Sequence, residues 1–234
     1  MLYIYKHMTK QITEYTVQQL AKNYFLKKYR KKAKRKAIFA DIEMRTKKQY
    51  GGKRADGLIA FRSWWRGEYV ISFEAKSYKT IASMKAETDY LYLLINSLMG
   101  GLLVCVLSGC FFFIYKSDNI HEQFWMPTLA FLVGSILYAI LTWNDYTHKG
   151  VAVIKQLEQY PGNEQWLAFS EDSILELKKD KWRQLKKIAR NRGVGILMIR
   201  SNKKAKRIVL PKKKWGRNFL KYYAKEKEIR KVIA

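Results

Sequence analysis

The sequence predicts a mixed α/β domain that is interrupted by a pair of membrane-spanning helices. Three observations lead to this fold class. An N-terminal helical pattern is followed by three runs with strand character, at residues 37–45, 54–61 and 69–76. Two long runs without a charged residue, 91–115 and 124–143, come next. Further helical patterns and two more strands then complete the chain.

A helix over residues 9–30 is predicted first, because its apolar residues recur at helical spacing. Thr9 or Thr13 is the expected cap, since a threonine hydroxyl can accept a hydrogen bond from the first turn. Glu14 lies near the start of this helix, where a carboxylate interacts favourably with the helix dipole. The basic stretch at 27–36 follows, and it is either a solvated connector or a patch that binds phosphate or lipid head groups.

The second and third strands are expected to form a hairpin. If its turn is symmetric, Phe61 faces Tyr69, and the same register places Asp56 opposite Glu74. Facing Cβ atoms on one face of a sheet are about 5 Å apart. Lys76 shares the face of Glu74 because side chains alternate along a strand. Two carboxylates and one ammonium therefore converge.

This convergence suits phosphodiester hydrolysis. Two like charges at such a distance repel, and a bound cation is the usual means of holding them together. Carboxylate oxygens suit Mg²⁺ or Mn²⁺, which retain water molecules that can act as nucleophiles. Lys76 would orient such a water or offset the negative charge of the transition state. The alternative is a cross-strand salt bridge, in which Lys76 neutralises Glu74 and Asp56 merely opens a strand.

A further acidic ligand is available from the first strand. Glu43 precedes the turn at Gly51 and Gly52, and it could stand beside Asp56 as a metal ligand. The alternative is an exposed glutamate on an outer strand, which is common. At the tip of the hairpin, Trp64 and Trp65 could stack on nucleic-acid bases, pack in the core or contact a membrane surface.

The two uncharged runs predict a transmembrane hairpin over residues 90–144. Each run is long enough, at 1.5 Å per residue, to cross a hydrocarbon core of about 30 Å, and aromatic residues lie near the ends. The loop at 116–123 has one lysine and two acidic residues, whereas both outer flanks are rich in lysine. The positive-inside rule therefore predicts a multi-pass protein of the cell membrane whose soluble part is cytoplasmic. The alternative is two buried core helices.

Small residues recur along the first run. Gly101, Cys105 and Gly109 are spaced by four, which places them on one face of a helix. This stripe could pack against Gly134 and Ser135 of the second run, or it could pair two copies of the chain in a homo-oligomer. The sequence leaves both arrangements open.

The elements after the hairpin complete the α/β domain. They are, in order, a helix at 148–160, a short strand or loop at 166–169, a helix that begins after Ser170 and stops at Gly193, strands at 194–200 and 205–210, and a basic helix at about 215–233.

Composition points to a polyanionic partner. The 234 residues include 46 lysines and arginines against 19 acidic residues, a formal charge of +27. Nucleic acid or an anionic membrane surface would match such a charge. The two cysteines, Cys105 and Cys110, both lie in an apolar run, which argues against a disulfide framework and against a zinc site.

The residues of the hairpin carry a resemblance to a known family. Asp56, followed after a turn by Glu74-Ala75-Lys76, resembles the motif of the PD-(D/E)XK nuclease superfamily, with Ala55 in the place of the proline. Further along, the segment from Gln156 to Tyr160 is similar to the Gln-xxx-Tyr helix of RecB-like members.

The resemblance implies a restriction-endonuclease-like αβββαβ core, formed by residues 1–89 and 145–234, with the hairpin 90–144 inserted. It also implies a Mg²⁺- or Mn²⁺-dependent endonuclease that acts on DNA, and membrane attachment suggests defence against phage or other foreign DNA. The alternative is a non-catalytic basic membrane protein that binds nucleic acid or anionic lipid. An activating protein partner is not identified by the sequence.

The resemblance also assigns roles to individual residues. The implied catalytic residues are Asp56, Glu74, Lys76, Gln156 and Tyr160. The implied metal ligands are Asp56, Glu74, the carbonyl of Ala75, and either Glu43 or Glu14.

Overall fold

The computed structural model of the chain describes residues 12–64, 67–114, 120–143, 145 and 148–234. The chain divides into two compact units, with boundaries between Ala86 and Glu87 and between Gly150 and Val151. In chain order the helices and strands are α1 (Glu14–Tyr29), β1 (Ala33–Arg45), β2 (Arg54–Ser63), β3 (Gly67–Lys76), β4 (Ala86–Thr88), α2 (Tyr90–Ile114), α3 (Ile120–Thr142), β5 (Lys149–Val151), α4 (Ala152–Glu158), β6 (Glu164–Ser170), α5 (Glu171–Glu176), α6 (Lys179–Arg192), β7 (Gly195–Ile199), β8 (Ala205–Val209) and α7 (Glu226–Ile233).

A six-stranded mixed sheet forms the centre of the first unit, in the order β1-β2-β3-β6-β7-β8. The first three strands are antiparallel, β6 and β7 run parallel to β3, and β8 is antiparallel to β7. Phe61 pairs with Tyr69, which is the register that a symmetric hairpin predicts. Gly57 pairs with Phe73, and a Cβ at Gly57 would lie 2.0 Å from the Phe73 ring, so this position requires glycine.

Helices cover both faces of this sheet. On one face α1 contributes Phe25 and Tyr29 to a core with Phe73 and Trp166. On the other face α4 and α6 pack over β6 and β7, and α7 packs over the first two strands. The result is a helix-sheet-helix arrangement, which buries the apolar stripe of each helix against the sheet.

Local sequence explains where α1 and α6 begin or end. The hydroxyl of Thr13 accepts a hydrogen bond from the N–H of Thr16 at 3.3 Å, so Thr13 is the cap of α1. Gly193 ends α6 with a φ of 70°, a left-handed conformation that glycine adopts without strain. The basic stretch at 27–36 spans the end of α1 and the start of β1, rather than forming an unstructured connector.

Several predicted elements differ from the structure. β6 is a full strand of seven buried residues, longer than the short strand or loop expected at 166–169. The helix predicted after Ser170 is two helices, because Leu177 takes an extended conformation between them. The helix predicted at 215–233 is α-helical only in α7, because the preceding segment forms a short 3₁₀ helix at Leu220–Tyr222 and is anchored in the core by Phe219, Leu220 and Tyr223. The helix predicted at 148–160 begins at Ala152 because β5 precedes it.

The second unit is a pair of long apolar helices. Segments Tyr90–Phe111 and Trp125–Thr142 are long and apolar enough to cross a membrane, and only 17% and 6% of them are buried. Gly101 lies against α3, where a Cβ would be 1.9 Å from Ser135 Oγ, and Gly134 lies against Val104. The small residues therefore serve to pack α2 on α3 within one chain. Trp65 at the tip of the β2–β3 hairpin and the first residues of the predicted loop at 116–123 lie outside the described ranges.

Candidate active site

The residues with catalytic character meet at one end of the sheet. They are supplied by the start of α1, the start of β2, the end of β3, α4 and the turn that follows α4. The side chains at this end are Glu14, Asp56, Glu74, Lys76, Gln156 and Tyr160.

Asp56 is held by the backbone of the neighbouring strand. Its Oδ2 accepts a hydrogen bond of 2.7 Å from the N–H of Ala75. The paired residues of β2 and β3 end at Gly57 and Phe73, so the Asp56 carboxylate occupies the position of the next strand carbonyl. Ala75 is the residue after Glu74, so this bond holds the Asp56 carboxylate close to Glu74.

Lys76 faces three carboxylates. Its Nζ lies 2.8 Å from Oε1 of Glu74, 4.0 Å from Oδ2 of Asp56 and 3.9 Å from Oε1 of Glu14. Burial alone would lower the pKa of Lys76, but the carboxylates of Glu74, Asp56 and Glu14 outweigh burial, and the net effect raises it. The ammonium therefore stays protonated at neutral pH.

Gln156 and Tyr160 follow the inserted hairpin in the chain, and both belong to the cluster. Gln156 Nε2 donates to Glu74 Oε1 at 2.6 Å and lies 3.3 Å from the Tyr160 hydroxyl. The carbonyl of Tyr160 accepts a hydrogen bond from the Ser72 hydroxyl at 2.8 Å, which ties this turn to β3. Burial raises the pKa of Tyr160, so its phenol remains a hydrogen-bond donor.

Glu74 has an incompletely satisfied carboxylate. Its side chain is 1% exposed, and Oε2 has no hydrogen-bond partner among the described residues. Burial, followed by the charge of Asp56, raises the pKa of Glu74 to about 7. Burial also raises the pKa of Asp56. Removing these carboxylates from water is costly, and one ammonium does not neutralise three ionised carboxylates.

The donor set fits a small divalent cation. The unpartnered Oε2 of Glu74 and the carboxylate of Asp56 are hard oxygen donors of the kind that Mg²⁺ and Mn²⁺ bind. Within the described ranges, no group of three His, Cys, Asp or Glu side chains is arranged to hold a metal. The residues available to a metal are therefore these two carboxylates, with the carbonyl of Ala75 as the ligand implied by the sequence motif.

The two candidates for a further carboxylate are placed differently. Glu43 lies within β1 with a φ of 58°, and its half-exposed carboxylate lies 3.5 Å from Arg54. Glu14 instead approaches Lys76, and its Oε2 is 3.1 Å from the hydroxyl of Thr80. The structure brings Glu14 into the cluster and pairs Glu43 with Arg54.

Thr80 was not recognised from the sequence as part of this site. Its hydroxyl accepts a hydrogen bond from the N–H of Ser77 at 3.1 Å, which forms a capping box at the start of the short helix Tyr78–Met84. Ser77 is a residue type that favours the N-cap of a helix, and this is the signal that the sequence offers here. That signal predicts a helix start, and only the fold shows that Glu14 is close by.

Comparisons of this chain with protein-family models, with curated proteins and with solved structures find no match. The functional interpretation therefore depends on the geometry and chemistry of the site.

Proposed function

We propose that this protein is a membrane-anchored, Mg²⁺- or Mn²⁺-dependent nuclease of PD-(D/E)XK type that hydrolyses phosphodiester bonds of DNA. The observation that carries the proposal is the hydrogen bond from Gln156 to Glu74, which joins residues 82 positions apart in the chain. It unites the Gln-xxx-Tyr segment with the carboxylates and the lysine of the hairpin. A structural salt bridge between Lys76 and Glu74 would not require the hydrogen bond from Gln156, and it would not explain why Oε2 of Glu74 is buried without a partner among the described residues.

Each residue has a role that follows from its contacts. Asp56 and Glu74 would hold the metal, which when bound polarises the phosphoryl oxygen and lowers the pKa of a coordinated water. Lys76 keeps its proton, orients the attacking water and offsets the negative charge of the transition state. Gln156 donates to Glu74 Oε1, so Oε2 would be available to bind the metal. Tyr160 presents its phenol beside Gln156 and can contact the phosphate backbone.

The remaining features support this class of substrate and location. The formal charge of +27 favours a polyanion, and basic stretches at 27–36 and 203–214 would supply affinity that is independent of sequence. The order of α1, three antiparallel strands, α4 and a parallel strand is the order expected of a restriction-endonuclease-like core. The apolar hairpin would anchor this core at the cytoplasmic face of the cell membrane. Such a position suits the destruction of foreign DNA as it enters the cell.

Cleavage assays with purified full-length protein in detergent test the proposal. Plasmid and linear DNA are incubated with Mg²⁺ or Mn²⁺, or with EDTA, and DNA binding is measured in parallel. We expect metal-dependent cleavage that Asp56→Ala and Lys76→Ala abolish while DNA binding remains. Asp180→Ala removes an exposed carboxylate far along the chain and is the matched control. Equal cleavage by the wild type and the Asp56 and Lys76 variants would refute this site.

One observation favours a second function. The bond of 2.8 Å between Lys76 and Glu74 already neutralises one carboxylate without a metal, as in a structural salt bridge. On this reading the protein is a non-catalytic basic membrane protein that binds nucleic acid or anionic lipid. This second function would be supported if the wild type and all variants bind DNA but do not cleave it with any metal. It would also require that no added protein induces cleavage.

A further inference from the structure

A second cleft lies at the opposite end of the sheet from the candidate active site. It is a cavity of about 380 Å³, within the size range of small-ligand sites. Tyr69 lines this cavity, and Glu74 lies five positions further along β3, a distance of about 16 Å along the strand. We call it the aromatic-lysine pocket, because it is lined by five aromatic side chains and three lysines.

Rigid aromatic rings form one part of the pocket. Tyr29 and Phe61 are stacked with ring centroids 5.6 Å apart, and the Phe61 and Tyr69 centroids are 5.2 Å apart. Buried Glu164 accepts hydrogen bonds from the hydroxyls of Tyr29 and Tyr69, the latter at 2.7 Å. Trp166 donates to the same carboxylate at 3.0 Å. These bonds fix the rings before any ligand arrives, which reduces the entropy cost of binding.

Two indoles border the pocket at the surface. Trp64 is 66% exposed and Trp215 is 43% exposed, although large apolar side chains are usually covered in a folded domain. The ring of Trp215 lies 5.7 Å from that of Tyr69, so the aromatic surface is continuous from the buried rings to the rim. Exposed rings of this kind bind flat aromatic groups by stacking.

The charge of the pocket is positive. Lys31 and Lys32 follow α1, Lys213 precedes Trp215, and the lining residues given by the structure include no acidic side chain. The two basic stretches recognised in the sequence therefore meet here. Half-buried Lys28 lies 4.0 Å from Glu164, and burial lowers its pKa to about 8, although the carboxylate of Glu164 acts in the opposite direction. Lys28 does not line the pocket, whose positive charge comes from Lys31, Lys32 and Lys213.

We propose that the aromatic-lysine pocket binds a nucleotide, with the base stacked on the aromatic rings and the phosphate held by the lysines. A quaternary ammonium ligand, the usual guest of an aromatic cage, would be repelled by the three ammonium groups. Inorganic phosphate or a lipid head group would leave the aromatic surface unused. The nucleotide is either a free molecule or one unit of a strand, and both present the same chemistry.

The proposal is independent of nuclease activity, because binding is measured with EDTA in the Asp56→Ala background. Equilibrium dialysis of full-length protein in detergent compares adenosine 5′-monophosphate, adenosine, inorganic phosphate, glycerol phosphate and an oligonucleotide of eight residues. One pocket variant combines Trp64→Ala with Trp215→Ala. The other pocket variant replaces Lys31, Lys32 and Lys213 with Ala. The control replaces Lys181, Lys227 and Lys231, all exposed, with Ala and removes the same charge.

We expect each pocket variant to weaken binding of adenosine monophosphate at least tenfold, and the charge-matched control to weaken it less than twofold. Adenosine and phosphate should each bind at least tenfold more weakly than the nucleotide. If only the oligonucleotide binds, and both pocket variants lose this binding while the control keeps it, the proposal stands and the bound nucleotide is part of a nucleic-acid strand. Circular dichroism and thermal unfolding of each variant identify any loss of fold.

Three results would overturn the proposal. If the pocket variants bind every nucleotide probe as tightly as the control does, the pocket does not bind nucleotides. Phosphate or glycerol phosphate that binds as tightly as the nucleotide would show an anion or head-group site. Absence of binding by both the mononucleotide and the oligonucleotide at about 1 mM would show that the pocket has no nucleotide ligand.

Discussion

A buried carboxylate with one unpartnered oxygen dominates the chemistry of individual residues. Glu74 is surrounded by protein, touches Lys76 and Gln156, and still leaves Oε2 without a donor among the described residues. Removing a charge from water without full compensation raises its pKa. The same imbalance that destabilises the free protein would favour a divalent cation at this position.

The raised pKa of Glu74 gives a pH dependence of stability. Its pKa rises from an ordinary 4.5 to about 7, so the folded state binds a proton more tightly than the unfolded state. The resulting stabilisation is fully present below about pH 4.5 and is lost as the pH rises through about 7, with an upper limit of about 3 kcal/mol. In EDTA, we expect the thermal midpoint to fall by several degrees between pH 5.5 and 8.5.

Glu74→Gln should reduce this fall, because an amide does not titrate. Glu43→Gln, which neutralises a half-exposed carboxylate instead, should leave it in place. The measurement is thermal unfolding followed by circular dichroism across pH. An identical pH dependence in wild type and Glu74→Gln would contradict the assignment.

Gln156 offers a second prediction for a single side chain. Its hydrogen bond to Glu74 orients a carboxylate that is to hold a metal, and loss of such an outer partner typically costs about 10- to 100-fold in activity or metal affinity. We expect Gln156→Leu to lower the cleavage rate by that factor, with less effect at high Mn²⁺. Gln159→Leu, at an exposed position three residues further on, is the control. Equal rates for the two variants would argue that Gln156 has no role in the site.

The residues of the site differed in how far the sequence could predict them. Asp56 and Glu74 lie close together because hairpin register follows from local alternation, which is visible in the sequence. Glu43 was a candidate ligand because of its place on the first strand; its neighbours Ile42 and Met44 pair with Gly57 and Ala55, on either side of Asp56, but its φ is positive and its carboxylate lies 3.5 Å from Arg54. The contact of Glu14 with Thr80 depends on how α1 crosses the sheet, and no local pattern specifies that crossing.

Close packing of small residues determines how α2 and α3 meet. Gly101 approaches α3 so closely that a Cβ would lie 2.6 Å from the carbonyl of Phe131, whereas a Cβ at Gly109 would be 3.8 Å from Pro127. Two glycines of the same predicted stripe therefore differ in their tolerance of a side chain. Pairing of two chains through the hairpin remains a prediction.

We expect Gly101→Leu to separate α2 from α3 and to destabilise the helix pair by about 1–3 kcal/mol, the usual cost of overpacking. Gly109→Leu should cost much less. Thermal unfolding and limited proteolysis in detergent measure both variants. Destabilisation by Gly109→Leu that equals that of Gly101→Leu would contradict the packing described above. A change of oligomeric state on size-exclusion chromatography would instead reveal contacts between chains.

The strands of the hairpin were easier to predict from the sequence than β6. β3 is buried along most of its length, as β6 is, but β3 is joined to β2 by a recognisable turn, whereas β6 follows Pro161 and Gly162 and has no hairpin partner. A strand covered on both faces lacks the period of two and resembles any short apolar run. The break at Leu177 was also invisible, because the apolar spacing continues through it into α6.

The whole molecule combines a self-contained α/β unit with an apolar insertion. Three buried clusters, on the two faces of the central sheet, belong almost entirely to the first unit. A shortened chain would carry a short Gly-Ser linker in place of residues 87–150. We expect this chain to fold, to stay soluble without detergent and to bind DNA. Circular dichroism and carbonate extraction of membranes compare it with the full chain. Aggregation of the shortened chain, or its retention in the membrane pellet, would contradict this expectation.

The position of the insertion also sets the order in which the protein is made. β3 pairs with β6, yet the two apolar helices lie between them in the chain. On the ribosome, Asp56, Glu74 and Lys76 are therefore synthesised before the hairpin, and Gln156 and Tyr160 after it. Glu74 lacks its glutamine partner until α4 emerges, and the sheet has an open edge at β3 until β6 follows. Any activity of this fold thus arises only in a chain whose apolar hairpin has already been translated.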